Sequence, residues 1–231
     1  MALLMKIPSP TFKAVLFDLD GTLLNTLIDL ADAMNAALVH FGFPPHPVDA
    51  YKYFIGDAVE TEAKRAMPES AGDPQTIKKV AELSEQIYDK SWHKNTRPYP
   101  GIPDLLSNLT KRGLPMAILS NKPDHFTKIM VEKLLPAGAF EIVQGALPDV
   151  PVKPDPTSAL QIAKGLSTLP EQFLYLGDTN TDMKTAVAAG MFSLGCLWGY
   201  RTADELLASG AKVLIHKPEE VLGILDNRLK K

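Results

Sequence analysis

Residues Lys13 to Thr26, KAVLFDLDGTLLNT, constrain this chain more than any other stretch. Ala14, Val15, Leu16 and Phe17 form a continuous apolar run, which suits a strand buried on both faces; a half-exposed strand would alternate. The run stops at Asp18. Asp20 follows two residues on, and Gly21 permits a tight turn that points Asp20 back toward the strand end. As a surface turn, Asp-Leu-Asp-Gly-Thr would be ordinary. At the end of a buried strand, two neighbouring carboxylates are costly unless a cation compensates them. Mg²⁺, which takes a few carboxylates together with waters and phosphate oxygens, meets that demand.

Composition narrows the setting. With 231 residues and 45% apolar content, the chain has material for one α/β domain or a domain carrying an insertion. A net charge of -3 and the lack of any Lys/Arg run argue against a nucleic-acid partner, so phosphate binding must be local. The single Cys196 rules out an internal disulfide, and its neighbours Leu194 and Leu197 mark a buried structural thiol. The opening MALLMKIPSP has too short an apolar stretch for a signal peptide, and no stretch is long enough to span a bilayer. The expectation is a cytoplasmic protein with no membrane partner.

After the first strand, Leu27, Leu30, Ala31, Met34, Leu38 and Phe41 recur at helical spacing, with Gly42 closing the helix. Phe43 to Pro47 is expected as a loop, and further helical patterns run from about Asp57 to Met67 and from about Asp73 to Lys94. No strand is expected between Asn25 and His93. An all-helical segment at this point breaks the alternation of strand and helix, and suggests a small helical domain carried on a larger one. From Tyr99 onward the alternation is unbroken. Strands are expected at Pro115 to Leu119, Phe140 to Val143, Phe173 to Leu176, Phe192 to Leu197 and Lys212 to Ile215, with helices between them and a final helix from Pro218. The fold class is α/β, a doubly wound parallel sheet with an inserted all-helical unit. The expected division is a core of residues 1–24 and 96–231, and a helical unit of residues 25–95.

In such a sheet the carboxyl ends of the strands share one crevice. Ser120, Asn121 and Lys122 follow one strand, Lys153 follows a second and its loop, and Asp178 and Asp182 follow a third. Each has an ordinary explanation by itself: a cap for Ser120, a solvated lysine for Lys153, turn and cap residues for the two acids. Their arrival at the edge that holds Asp18 and Asp20 is the informative fact.

In these segments the chain resembles the haloacid dehalogenase-like hydrolases, phosphoglycolate phosphatase-like branch, over nearly its whole length. The family's four motifs match DLDGTL, Ser120, Lys153 and the Asp178 to Asp182 segment. The resemblance implies a Mg²⁺-dependent phosphatase that works through an aspartyl-phosphate, with a helical cap over the site. It casts Asp18 as nucleophile, Asp20 as acid and base, and Ser120 and Lys153 as groups that bind and neutralise the phosphate. Leu19, Gly21 and Asn121 join Ser120 and Lys153 as phosphate contacts. Mg²⁺ is implied at Asp18, Asp178 and the Asp20 backbone carbonyl, with Asp182 in support. Dehalogenating relatives lack an acid two residues after the nucleophile, so Asp20 favours phosphate ester chemistry.

The implied substrate is a small phosphorylated metabolite, with 2-phosphoglycolate leading; the protein is expected to be a monomer or homodimer. Tyr53 to Glu60 resembles the family's substrate-specificity loop but offers no cation for a glycolate carboxylate, which leaves Lys52, Lys64 and Arg65 as nearby candidates. Asn25 stands where the family often has an acid. A sugar-phosphate mutase, a phosphatase for another sugar phosphate, nucleotide or pyrophosphate, and a non-catalytic binding protein remain the competing readings.

Overall fold

A computed structural model describes residues 12–226. The expectation for the opening MALLMKIPSP lies outside these residues. Strand β1 (Ala14–Phe17) is followed by β2 (Leu24–Asn25), then by helices α1 (Leu27–His40), α2 (Tyr51–Phe54), α3 (Val59–Ala66) and α4 (Pro74–Ser91). β3 (Arg97–Pro98), α5 (Ile102–Lys111), β4 (Met116–Pro123), α6 (Asp124–Leu134) and β5 (Ile142–Ala146) come next. The chain continues with α7 (Thr157–Gly165), β6 (Phe173–Gly177), α8 (Asn180–Ala188), β7 (Phe192–Cys196), α9 (Ala203–Ala208), β8 (Val213–Ile215) and α10 (Glu220–Leu225). Among the described residues no helix is long and apolar enough to cross a membrane.

Six strands form one parallel sheet in the order β5-β4-β1-β6-β7-β8. β1 sits between β4 and β6, with Leu16 beside Ala117 on one side and Tyr175 on the other. Its continuous apolar run is explained by burial on both faces. Val15 and Phe17 pack with Leu105, Leu106 and Phe126, while Ala14 and Leu16 pack with Ala159, Ile162 and Ala186. The chain leaves β1 toward β4 and later returns to β6 on the other flank, so the crevice at the end of β1 is a topological switch point.

The helices between β2 and β3 have an apolar cluster of their own, built from Met34 and Leu38 of α1, Ala63 of α3 and Val80 of α4. They also reach the sheet. Leu30 and Ile87 pack against both clusters, and Tyr88 and Trp92 lie in the cluster of the sheet. Three polar ties reinforce the closure: Arg201 Nη2 donates to the Ile55 carbonyl at 2.9 Å, Asn121 Nδ2 donates to that of Gly56 at 3.1 Å, and the Thr26 and Tyr200 hydroxyls bond at 3.0 Å.

The structure departs from expectation in three places. The expected strand at Phe140 to Val143 is shifted to Ile142–Ala146, because Phe140 is spent on an edge-on contact with Phe17, at 6.2 Å between ring centroids. Its apolarity marks burial and not pleat. β4 runs past Leu119 to Pro123, through a polar stretch that only tertiary packing buries. β2 and β3 pair antiparallel as a ribbon of two residues each, too short to leave a periodic signal.

Asp29, in the first turn of α1, joins the two chain crossings beside this ribbon. Its carboxylate is 1% exposed. It accepts from the backbone N–H of Asn95 at 2.9 Å and of Thr96 at 2.8 Å, from Asn95 Nδ2 at 2.8 Å and from Thr96 Oγ1 at 2.8 Å. Asp29→Ala, which strands several of these donors, is expected to lower unfolding stability by about 3 kcal/mol or more in a denaturant titration, with a smaller loss for Asp29→Asn. A loss below about 0.5 kcal/mol, the range of ordinary surface changes, would remove this anchor from the account.

Candidate active site

Asp18 immediately follows β1, Asp178 immediately follows β6, and Asp182 lies in the first turn of α8. Each offers a carboxylate oxygen, and these atoms lie within 4.8 Å of one another. All three side chains are buried. Lys153 reaches between them, with Nζ 2.7 Å from Asp18 Oδ1 and 2.7 Å from Asp182 Oδ1. Asp178 accepts from Thr22 Oγ1 at 2.9 Å and from the Tyr200 N–H at 2.8 Å. Asp182 Oδ2 accepts from the Thr179 N–H at 3.0 Å and its hydroxyl at 2.6 Å, and so completes the capping box of α8. Asp182 is therefore a cap and a member of the acid cluster at once.

Three carboxylates against one ammonium leave negative charge in excess, which a proton or a divalent cation can offset. Burial pushes the Asp18 carboxyl well above the usual carboxylate range; Asp182 adds to this and Lys153 opposes it. Asp178 is pushed up to about 7, by burial first and then by Asp182. For Lys153, burial favours the neutral amine, but Asp18 and Asp182 overcome it and hold the ammonium form. The walls leave no room beside Asp178. A Cβ at Gly21, whose φ is +85°, would lie 2.3 Å from Asp178 Oδ2, and one at Gly199 would lie 2.2 Å from Asp178 Cβ.

Asp20 faces the other way. Its Oδ2 accepts from Lys122 Nζ at 3.0 Å, and its Oδ1 is buried with no hydrogen-bond partner among the described residues. The cavity above is lined by Asp18, Asp20, Ser120, Lys122 and Lys153 from the sheet, and by Glu62, Glu85 and Tyr88 from the helices.

The family model of the haloacid dehalogenase-like hydrolases matches residues 15–196. The chain belongs to this family. A phosphoglycolate phosphatase of Nitrosospira multiformis is 33% identical over 87% of this chain and 90% of that protein, and one of Pseudomonas putida is 29% identical over 90% and 78%. A crystal structure from Lactobacillus delbrueckii subsp. bulgaricus superposes with a TM-score of 0.88 at 29% identity, covering 93% of this chain and 98% of that one. A haloacid dehalogenase-like family hydrolase of Streptococcus pneumoniae superposes with a TM-score of 0.83 at 25% identity, covering 92% and 98%. By these relations the chain is an enzyme of the phosphoric monoester hydrolase type, phosphoglycolate phosphatase-like in sequence.

Within this hydrolase the residues singled out from sequence divide into groups. Asp18, Asp20, Ser120 and Lys153 line one cavity, and Asp178 and Asp182 meet Asp18 below it. Ser120 does not cap α6, which begins at Asp124; its Oγ accepts from the Lys122 N–H at 3.2 Å. Asn121 is spent on the scaffold: besides Gly56, its Nδ2 donates to the Lys153 carbonyl at 3.0 Å, and its Oδ1 accepts the Lys153 N–H at 2.8 Å. Its side-chain amide positions Lys153, and both Nδ2 hydrogens are committed to carbonyls. Leu19 turns its side chain into the core, and the Gly21 N–H is committed to the Leu24 carbonyl at 2.8 Å, so Gly21 shapes the loop.

None of Lys52, Lys64 and Arg65 lines the cavity; Lys52 pairs with Asp49 at 2.8 Å, and Arg65 with Asp57. Besides Lys153, the cation that lines the cavity is Lys122, to which the sequence reading gave no role. A signal existed, since Lys122 stands two residues after Ser120 and strand periodicity puts both on one face. Glu62, Glu85 and Tyr88 carried no such signal, because α3 and α4 acquire their site-facing sides only by docking.

Burial pushes the Glu62 carboxyl up to about 8, with Lys122 opposing. Unfolded, this group titrates near its ordinary 4.5, so the folded state holds the extra proton between about 4.5 and about 8. Its contribution to stability is therefore lost as pH rises through that window. Glu62→Gln is expected to flatten the fall in Tm between about pH 5 and pH 9 relative to the native chain. Parallel pH profiles for the two proteins would count against a partly buried, proton-holding Glu62.

Proposed function

We propose that this hydrolase is a Mg²⁺-dependent phosphatase that cleaves a small phosphate monoester through an aspartyl-phosphate, with 2-phosphoglycolate as its substrate. The observation that carries the proposal is one arrangement: a buried Asp18 paired with Lys153, beside an Asp20 that has one carboxylate oxygen unpartnered. The relatives named phosphoglycolate phosphatase support the choice of substrate.

In this reading a carboxylate oxygen of Asp18 attacks the phosphorus, and the bond from phosphorus to the leaving oxygen breaks as the acyl phosphate forms. Asp20 gives its proton to the departing alkoxide. The Asp20 carboxylate then takes a proton from water as the water oxygen attacks the phosphorus, which frees Asp18 and inorganic phosphate. The net change is ester plus water to alcohol plus phosphate. Ser120 donates its hydroxyl to a phosphate oxygen, and Lys153 neutralises charge between Asp18 and the phosphate. Asp18, Asp178 and the Asp20 carbonyl, supported by Asp182, would hold Mg²⁺, whose chemistry is to offset the charge of the phosphoryl group. The charge excess of the acid cluster fits such an ion, and Gly21 and Gly199 leave the room that the Asp178 side chain itself fills.

Residues 25–95 act as a cap on a core of residues 1–24 and 96–231. Closure of the cap excludes water while the leaving group departs. The setting proposed is the cytoplasm, with a small phosphorylated metabolite as partner.

Phosphate release from a panel of 2-phosphoglycolate, sugar phosphates, nucleotides and pyrophosphate tests the substrate directly. The expected result is a preference for 2-phosphoglycolate; strong turnover of another ester would discard the substrate and keep the chemistry. Asp18→Asn is expected to cut kcat by a factor on the order of 10³ or more with the fold retained by circular dichroism. Substantial residual turnover in that variant would remove Asp18 as nucleophile. Because Asp178 holds a proton up to about 7, Mg²⁺ affinity measured by calorimetry should weaken as pH falls below that value. Affinity that is flat with pH would take Asp178 out of the ligand set.

A further inference from the structure

We infer that Lys122 is the anchor for the anionic end of the leaving group, so that substrate choice in this enzyme is set by a core strand and not by the cap loop. The inference rests on the 2-phosphoglycolate reading above and names the residue that would enforce it.

A leaving group that ends in a carboxylate needs a cation where the cap closes over it, since an unpaired charge in a dry site is costly. The loop Tyr53 to Glu60 supplies none. The lysines that line the cavity are Lys153 and Lys122. Lys153 holds Asp18 and Asp182, and its remaining donor is assigned above to the phosphate. Lys122 differs. Its side chain is 4% exposed, its Nζ lies 4.5 Å from the centroid of the Tyr88 ring, and it pairs with Asp20 Oδ2 at 3.0 Å. An ammonium carries three N–H donors, so one bond to Asp20 leaves capacity for a second anion.

The position matches the substrate's shape. In 2-phosphoglycolate a single methylene separates the ester oxygen from the carboxylate. The ester oxygen must meet Asp20, whose Oδ1 is buried and unpartnered, while Lys122 holds the other oxygen of that same carboxylate. A carboxylate one carbon from the ester oxygen therefore arrives beside the Lys122 ammonium. A longer acid would run past it toward Leu30, Met34 and Ile55, the apolar part of the same cavity. Glu62 lines the same cavity, and burial pushes its carboxyl up to about 8, which weakens its competition for the cation. Tyr88 fixes the height of Lys122 from the cap side, so the anchor is complete only when α4 is docked.

Lys122 also orients Asp20, and the test must separate the two roles. Lys122→Gln keeps a donor for Asp20 and removes the charge; Lys122→Met keeps the volume and removes both, and either can be read alone if the other fails to fold. The substrates are 2-phosphoglycolate and ethyl phosphate, equal in length and differing in the carboxylate. The expected result is a collapse of the 2-phosphoglycolate to ethyl phosphate ratio of kcat/KM by a factor on the order of 30 or more, carried by KM, with Lys122→Arg restoring part of it. An unchanged ratio, with both substrates falling together in kcat, would overturn the inference and leave Lys122 a positioning residue for Asp20. A native enzyme that shows no preference between the two substrates would instead sink the 2-phosphoglycolate reading, and the inference with it.

Discussion

The buried ammonium of Lys153, 2.7 Å from both Asp18 and Asp182, is the interaction on which the site depends. Acids at the ends of adjacent parallel strands repel one another, and burial raises that cost. One lysine in their midst makes the convergence tolerable, although it does not neutralise it. The remaining negative charge is what suits the cluster to a divalent cation, and the lysine's own charge is held by the acids it serves.

Holding Lys153 there takes a second set of groups. Asn121 clamps its backbone from both sides and also donates to Gly56, so a single side chain joins the lysine loop, β4 and the helical unit. Asp182 is fixed by its capping box, and Asp178 by Thr22 and the Tyr200 N–H. Tyr200 also bonds Thr26 at the start of α1, so the loop after β7 orients an acid and meets the helical unit with the same residue. Local devices such as a helix cap and an Asn clamp thus carry charge placement as well as stability.

Much of the fold was legible, for a physical reason. β1 and β6 are continuous apolar runs because both faces of a parallel sheet are covered, and helices such as α7 and α9 show their period because one side is wet. The misplaced stretches are those where apolarity served something other than the pleat. Phe140 is apolar to meet Phe17, and the polar Ser120, Asn121 and Lys122 remain in strand because charged and hydrogen-bonded partners from distant segments receive them. Asp29 was invisible as an anchor, since an acid in the first turn of a helix is common and its partners lie 66 and 67 residues away.

By itself the sequence determined the α/β alternation, the helical interruption after β1, and the set of groups that end the strands. Those follow from local periodicity and from which residue types sit where a buried strand stops. Only the tertiary structure decided how the groups divide: Asp18, Asp178 and Asp182 around Lys153, Asp20 with Lys122, and Asn121 withdrawn into the scaffold. Charge pairing acts over a few ångströms and takes no account of separation along the chain. The separation of 135 positions between Asp18 and Lys153 therefore carries no trace of a contact that the folded sheet makes at 2.7 Å.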